Sequence, residues 1–495
     1  MTFAGPGRLT LAAENTFTGL TRISSGTLEI GNANALQSSS LYMYEQDSGA
    51  ITFSQASNIG GLWGERNFSN GGNTLTIGGN NQSTTYAGQL SGAGGLTKSG
   101  MGALTLTGNN TYSGLTTVST GELAIGAGGT SGAVTGNIAN SGAVVFNRSD
   151  AVTYGGAISG SGRLTKGGGT LTLTGNNTYS GLTTVFSGTL AIGAGGTSGA
   201  VTGNIANSGA VVFNRSDAVT YAGAISGSGS LTKDGAGTLT LTGNNTYTGD
   251  TWVRGGTLAV DRRNAFAAAS DLTVDSGATF DRAGYSQTFV NAFVNGTVGN
   301  TGNGGLLTVN GQLSGSGLVN GNMLVNGVHS PGNSPGIQTF NGDLSYGSGA
   351  TINWELLANT ASNSPVVFDQ IVLSNAANLS FSATNQLSLS FAGAGSAVNW
   401  NDSFWDVNRV WTVFDLASGV TTGFSNLSLG GSFLDANGTA LEGSRGYFSL
   451  GQIGQDVVLQ FNVAAVPEPS TTAMALAGLA CGGLMWRRRR KANVA

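Results

Sequence analysis

Cysteine and histidine are almost missing from this 495-residue chain, where Cys481 and His329 stand alone. No disulfide can close within it, and zinc sites of the Cys/His kind are excluded. A Ser-His-Asp triad could draw only on His329. Charge is scarce as well, at 9% of residues against a usual ~25%. Five of the 20 basic residues, Arg487, Arg488, Arg489, Arg490 and Lys491, crowd the C-terminus, and the other 15 face 24 acidic residues. A body so poor in positive charge is not built to bind nucleic acid. Strong helix formers are thin, and 84 glycines, costly inside helices, argue against a helical protein. A net charge of only −4 and plentiful Val, Ile and Leu argue against disorder. The glycines show no three-residue period, which excludes collagen.

What the chain does have is a repeat. LTKSGMGALTLTGNNTYSGLTTVSTGELAIGAGG begins at Leu96, LTKGGGTLTLTGNNTYSGLTTVFSGTLAIGAGG at Leu164 and LTKDGAGTLTLTGNNTYTGDTWVRGGTLAV at Leu231, at spacings of 68 and 67 residues. A fainter copy runs from Arg8 to Gly31. YAGQLSGAGGL at Tyr86, YGGAISGSGRL at Tyr154 and YAGAISGSGSL at Tyr221 link the copies. Inside each copy the alternation is strict. Leu104, Leu106, Asn110, Tyr112, Thr116 and Val118 share one parity, and after a flip across Ser119–Glu122 Leu123 and Ile125 take over. Such alternation predicts short strands with one face inward. A glycine stands at every flip (Gly26, Gly121, Gly188, Gly256), where positive φ would change the face. Tandem units this small must stack on one another to bury a core. Strand–turn units of ~20–25 residues stack as a parallel β-helix, so one period reads as about three coils. Some twenty coils at ~4.8 Å each would make a rod of roughly 100 Å.

Polar residues on this pattern allow two readings each. Asn15, Asn110, Asn177 and Asn245 fall on the inward parity, as a ligand stripe or as a corner shelf bonding nearby amides. The rule that buried polar groups are hydrogen-bonded favours the shelf. Lys98, Lys166 and Lys233 recur as LTK and read as solvated turn positions, with a binding stripe as the alternative.

The repeat resembles the autotransporter-associated β-strand repeat, close to G-x-L-x-L-x-G-x-N-x-Y-x-G-x-T-x-V-x-x-G-x-L, over residues 8–31, 96–126, 164–193 and 231–260. The resemblance implies an all-β, right-handed parallel β-helix in an exported bacterial passenger region, assigned here to residues 1–344. The stretch after Gly336 is too short for the membrane barrel that ends a typical autotransporter. His329–Leu344 packs two Pro-Gly turns, and residues 345–463 hold four of the seven tryptophans, Trp354, Trp400, Trp405 and Trp411. This β-rich region reads as terminal coils or a small sandwich capping the rod. Its tryptophans read as core packing, with a sugar-stacking platform as the alternative.

Residues 464–495 form a tail of a different kind. Val466, Pro467, Glu468, Pro469 and Ser470 precede an apolar run, Ala473–Trp486, and then the arginine cluster. As a helix of about residues 471–486 its apolar run would reach ~21 Å, short of a ~30 Å bilayer core unless snorkelling arginines extend it. Positive-inside logic keeps Arg487–Lys491 cytoplasmic and exports the rest. The order of parts resembles the PEP-CTERM sorting signal. That implies recognition by a membrane exosortase, cleavage near the motif, and delivery to the surface or matrix of a Gram-negative, exopolysaccharide-making bacterium. Met1–Ala13 lacks the apolar run of a signal peptide, so the expected start lies upstream.

Function follows at the level of class: a non-enzymatic structural or adhesive rod associated with exopolysaccharide, without cofactor, metal or catalytic residues. The alternative is a polysaccharide lyase or hydrolase, which would need clustered carboxylates. Asp402 and Asp406 flank Trp405, Asp271 and Asp275 would lie ~13 Å apart on one strand, and Asp150 and Asp217 follow Arg148 and Arg215 in salt-bridged NRSD turns.

Overall fold

A computed structural model of the chain describes residues 1–263, 265–302 and 304–465. The alternating segments form short strands, and these stack in parallel ladders. The coil opening at Ile138 shows the plan. Ile138–Asn140 lies on a first face, Ala143–Phe146 on a second and Ala151–Tyr154 on a third, before Ile158–Ser159 returns to the first with Ile158 over Ile138. The result is an all-β solenoid of about 17 turns, or about 80 Å of stacked backbone at ~4.8 Å per turn. It has fewer turns than the sequence suggests because late turns carry long excursions. Ile352 is covered by Leu387, and Leu387 by Leu429. Among the described residues the only helical pieces are the 3-10 turns Ser403–Asp406 and Phe424–Asn426, and no helix is long and apolar enough to cross a membrane. The expected membrane helix at about 471–486 lies outside the described residues.

The inward parity is buried as the alternation requires: Leu104, Leu106, Tyr112, Val118, Leu123 and Ile125 line the interior. The parity flips pass through left-handed glycines, with φ of 73° at Gly26, 67° at Gly121, 68° at Gly188 and 58° at Gly256. At Gly188 a Cβ would also overlap the Gly169 carbonyl oxygen of the coil below. Left-handed strain and a steric overlap between coils make Gly188→Ala costly, by about 3 kcal/mol. A lowered urea midpoint would show it. Gly196→Ala is the control, since nothing lies within 4 Å of a Cβ built there.

The coils fix the phase of the repeat. Leu96–Lys98 and Thr116–Val118 stack under Ile138–Asn140 on the first face. Arg163–Lys166, the same element one copy later, stacks on Ala143–Phe146 on the second. Ser230–Asp234, one copy later again, continues the third-face ladder of Thr170–Leu173, Thr189–Ile192 and Ala210–Asn214. The period of 67–68 residues is therefore three coils and one further face, not three coils. Each copy is turned by a third of a circle from the one before it.

The parallel ladders continue beyond the repeats through Thr351–Glu355, Asn385–Ser390 and Leu427–Gly431. Arg409–Leu416 stacks in parallel on Gln370–Leu373, then pairs antiparallel with Asp456–Val463, which pairs antiparallel with Gly446–Ile453. Under this hairpin Trp354, Trp400, Trp405 and Trp411 are buried, the rings of Trp400 and Trp405 4.7 Å apart. Each indole N–H donates inward, to the Asp369 carbonyl (2.6 Å), the Phe433 carbonyl (3.1 Å), Asn359 Oδ1 (3.0 Å) and the Thr360 carbonyl (2.7 Å) respectively. No ring face is left for a sugar, so the tryptophans act as core.

Candidate functional site

The inward asparagines bond the backbone of neighbouring coils. Asn110 Oδ1 accepts from Leu90 N–H below (2.9 Å), and its Nδ2 donates to the Ala133 carbonyl above (2.9 Å). Asn177 repeats this with Ile158 and Ala200. Asn245 accepts from Ile225 N–H, but among the described residues its Nδ2 has no partner, and the third copy lacks the GTSGAV loop that supplies the upper carbonyl in the others. Asn15 sits at the first of these corners, donating to the Ala35 carbonyl. Beside the asparagines, Tyr112, Tyr179 and Tyr247 hydroxyls lie 2.7, 2.6 and 2.7 Å from Thr116, Thr183 and Thr251. This is the corner shelf, with its polar groups spent on holding coils together.

The lysines depart from expectation. Lys98, Lys166 and Lys233 are only 1%, 1% and 2% exposed. They share the inward parity of Leu96, Leu164 and Leu231, and each ammonium folds into the turn of its own coil. Lys166 Nζ donates to the carbonyls of Gly167, Gly168, Gly169 (2.9 Å) and Ser187 (3.3 Å). Lys233 Nζ donates to those of Asp234 (2.7 Å), Gly235 (2.9 Å) and Gly255 (3.0 Å). Lys98 does the same with Ser99, Gly100 and Thr120. Burial lowers the pKa of all three. They are internal clamps on glycine-rich turns, neither a solvated edge nor a stripe open to a ligand.

Of the carboxylates weighed for chemistry, Asp402, Asp406, Asp271, Asp150 and Asp217 are committed elsewhere. Asp402 caps the 3-10 turn through Phe404 N–H (2.7 Å), and Asp406 pairs with Arg445 (3.0 Å). Asp271 holds Asn291 (3.0 Å). Arg148 and Arg215 grip Asp150 and Asp217 with two bonds each, giving the expected salt-bridged turns and lowering both carboxyl pKa values. His329 is fully buried, with Nδ1 2.6 Å from Tyr346 Oη and Nε2 2.7 Å from Gln338 Oε1. Neither ring nitrogen meets a serine or a carboxylate, so His329 does not serve a triad.

One acidic pair escaped the sequence reading. Glu355 and Asp369 lie together in a surface groove of about 380 Å³ lined by Ser330, Ser334, Ser388 and Ser390. Asp369 accepts from Gly336 N–H (2.8 Å) and Glu355 N–H (3.0 Å), while Ser334 Oγ donates to Glu355 Oε2 (2.5 Å). Burial pushes the Asp369 carboxyl up to about 8. The two acids clasp the double Pro-Gly loop, where Ser334 is held at φ 60°. They are 14 positions apart around an excursion, so no spacing rule could have paired them. Among the described residues no three His, Cys, Asp or Glu side chains gather as a metal site. The sorting-motif residues Val466–Ser470, the basic cluster Arg487–Lys491 and Cys481 lie outside the described residues.

The solenoid is charge-poor and parallel, built from one strand–turn unit whose asparagines, tyrosines and lysines clamp successive coils. The chain carries the Passenger-associated-transport-repeat at residues 2–30, 96–125, 166–192 and 231–260, and the PEP-CTERM protein-sorting motif at 465–490. It is similar to a protein of Brucella suis biovar 1 (strain 1330) named Adhesin BmaC autotransporter, 39% identical over 205 residues that cover 37% of this chain. The chain spans 6% of that protein's length.

Proposed function

We propose that this protein is an exported, non-enzymatic surface protein that adheres through its solenoid and is sorted through its C-terminal motif. The observation that carries this is the pairing of four passenger-type repeats with a terminal PEP-CTERM motif in one chain. Pro467-Glu468-Pro469 is the recognition element for a membrane exosortase. The apolar run is the transient membrane segment, and Arg487–Lys491 is its cytoplasmic stop. The adhesive reading is supported by the name of the Brucella relative and by the rod's charge-poor surface of hydroxyls and amides, suited to many weak contacts with exopolysaccharide.

Mass spectrometry of the mature protein, taken from the surface and medium fractions of its host, tests the sorting step. A chain ending near Val466–Thr471 is expected. Retention of Arg487–Ala495 would replace release with permanent anchoring. Incubation of the purified chain with the host's exopolysaccharide should leave polymer size unchanged, and depolymerisation would overturn the non-enzymatic reading.

A further inference from the structure

The first face carries a long polar groove on the coils beyond the last repeat. It has a volume of about 830 Å³ and is lined by Thr257, Thr279, Asp281, Thr297, Gly299 and the asparagines 320, 322 and 341. The ladder runs Thr257, Thr279, Thr297, Leu318, Thr339 across five successive coils, about 20 Å at ~4.8 Å per coil. Gly299 makes the depression. It follows Asp281 in register, and its missing side chain opens the floor between neighbouring rungs.

The polar groups here are set, not loose. Asp281 accepts from Ala283 N–H (2.9 Å), Thr301 N–H (3.2 Å) and Thr301 Oγ1 (2.9 Å). Asn341 Nδ2 donates to Asn320 Oδ1 (2.9 Å), and Asn322 Oδ1 accepts from Asp343 N–H (3.1 Å). Among the described residues the Nδ2 groups of Asn320 and Asn322 have no partner in the protein, and they are available to a ligand. Beneath the floor lies Arg282, fully buried. Its Nη2 donates to the Asn320 carbonyl (3.0 Å), while among the described residues Nε and Nη1 have no partner. Its charge is felt by the neighbouring Asp281, which among the described residues is the only ionisable side chain lining the groove.

The geometry points to a binding groove for an extended, neutral polysaccharide strand, lying along the rod axis. An uncharged polyhydroxyl chain matches rungs of amides and hydroxyls repeating along that axis. An anionic chain would meet Asp281 and find the cation sealed below. A peptide adding as a strand is excluded because these strands are already paired on both sides. This deepens the adhesive reading and rests on it, since it names the polymer class and the place of contact.

The test is titration calorimetry of the purified chain with a neutral six-ring gluco-oligosaccharide and an oligogalacturonate of equal length. Gly299→Gln fills the groove without a fold penalty, because the nearest atom to a Cβ there is Asp281 Oδ1 at 3.4 Å. We expect the neutral hexamer to bind, Gly299→Gln to weaken it at least tenfold with unchanged circular dichroism, and the uronate to bind more weakly. Asp281→Asn, which uncovers the charge of Arg282, should raise uronate binding severalfold. Neutral binding that ignores Gly299→Gln, absence of neutral binding, or tighter uronate binding by the unsubstituted chain would overturn the assignment. Co-sedimentation with the host's own matrix separates the two levels. Adhesion without hexamer binding sinks the groove alone, and hexamer binding by a chain that never adheres sinks the adhesive reading and leaves the groove standing.

Discussion

Substituting methionine for all three buried lysines, Lys98, Lys166 and Lys233, should destabilise the repeat region by about 6 kcal/mol, near 2 kcal/mol for each clamp. Methionine keeps the length and apolar stem of lysine but removes the ammonium. The carbonyls of Gly167, Gly168 and Ser187 around Lys166 then lose a charged donor within a turn too tight to recruit another. Two terms oppose each other: charge-assisted bonds of ~1.5–3 kcal/mol apiece, and the cost of holding an ammonium out of water. Three or four acceptors per lysine decide for the bonds. The clamps lie on different faces about three coils apart, so their effects should add. Hydrogen exchange on the full chain would read the loss, strand by strand, in the coils flanking each clamp. A triple variant as stable as the parent would mean that desolvation cancels the bonds.

The terminal coils should respond to pH through two buried groups of opposite sign. Burial lowers the His329 pKa to about 4, so the unfolded chain binds its proton first on acidification. The stability that neutral His329 confers is complete above its ordinary value of 6.5 and is lost as pH falls from there to about 4, a loss of about 3 kcal/mol. Asp369 runs the other way. With its pKa raised to about 8, the folded chain keeps a proton that the unfolded chain releases, and stability falls as pH rises from 3.8 to about 8. Between pH 4 and 6.5 the two slopes offset each other, and above 6.5 only the Asp369 loss remains. Asp369→Asn should therefore expose an acid-labile terminal region, and Asp369→Asn with His329→Gln should flatten the profile. Urea midpoints at pH 4, 5.5 and 7, followed by tryptophan fluorescence, would measure this, because the four tryptophans of residues 345–463 sit in this region. An Asp369→Asn chain as stable at pH 4 as at pH 7 would contradict the His329 assignment.

The strands, the inward residues and the glycine turns were legible because they obey local rules. Leu104 and Leu106 alternate with threonines, and Gly121 stands where the parity flips. The lysine clamps were legible in principle, since Lys98 shares the parity of Leu96. A positive charge favours a solvated position over an inward parity, but a ring of turn carbonyls satisfies an ammonium as water does. The remaining features depend on register. Whether 68 residues make three coils or three and a third turns on the length of each corner, and corners of a glycine-rich chain vary by one or two residues without any composition signal. The groove arises because Gly299 falls above Asp281, and the loop clasp because Glu355 meets Asp369 across an excursion. Neither meeting is written in the spacing of the residues concerned. The sorting tail was legible for the opposite reason: its information is linear, an ordered string of motif, apolar run and arginines.

The extra third of a turn in each repeat acts as a gear. Gain or loss of one 67–68-residue copy, the natural unit of recombination between near-identical segments, would leave every strand paired and every core residue inside. It would also swing all distal coils, with the groove near Gly299 and the clasped loop near Ser334, one face around the axis from the proximal coils. Three such events would be needed to restore the original alignment. Copy number in this architecture therefore sets direction as well as reach: a longer rod points its far end elsewhere.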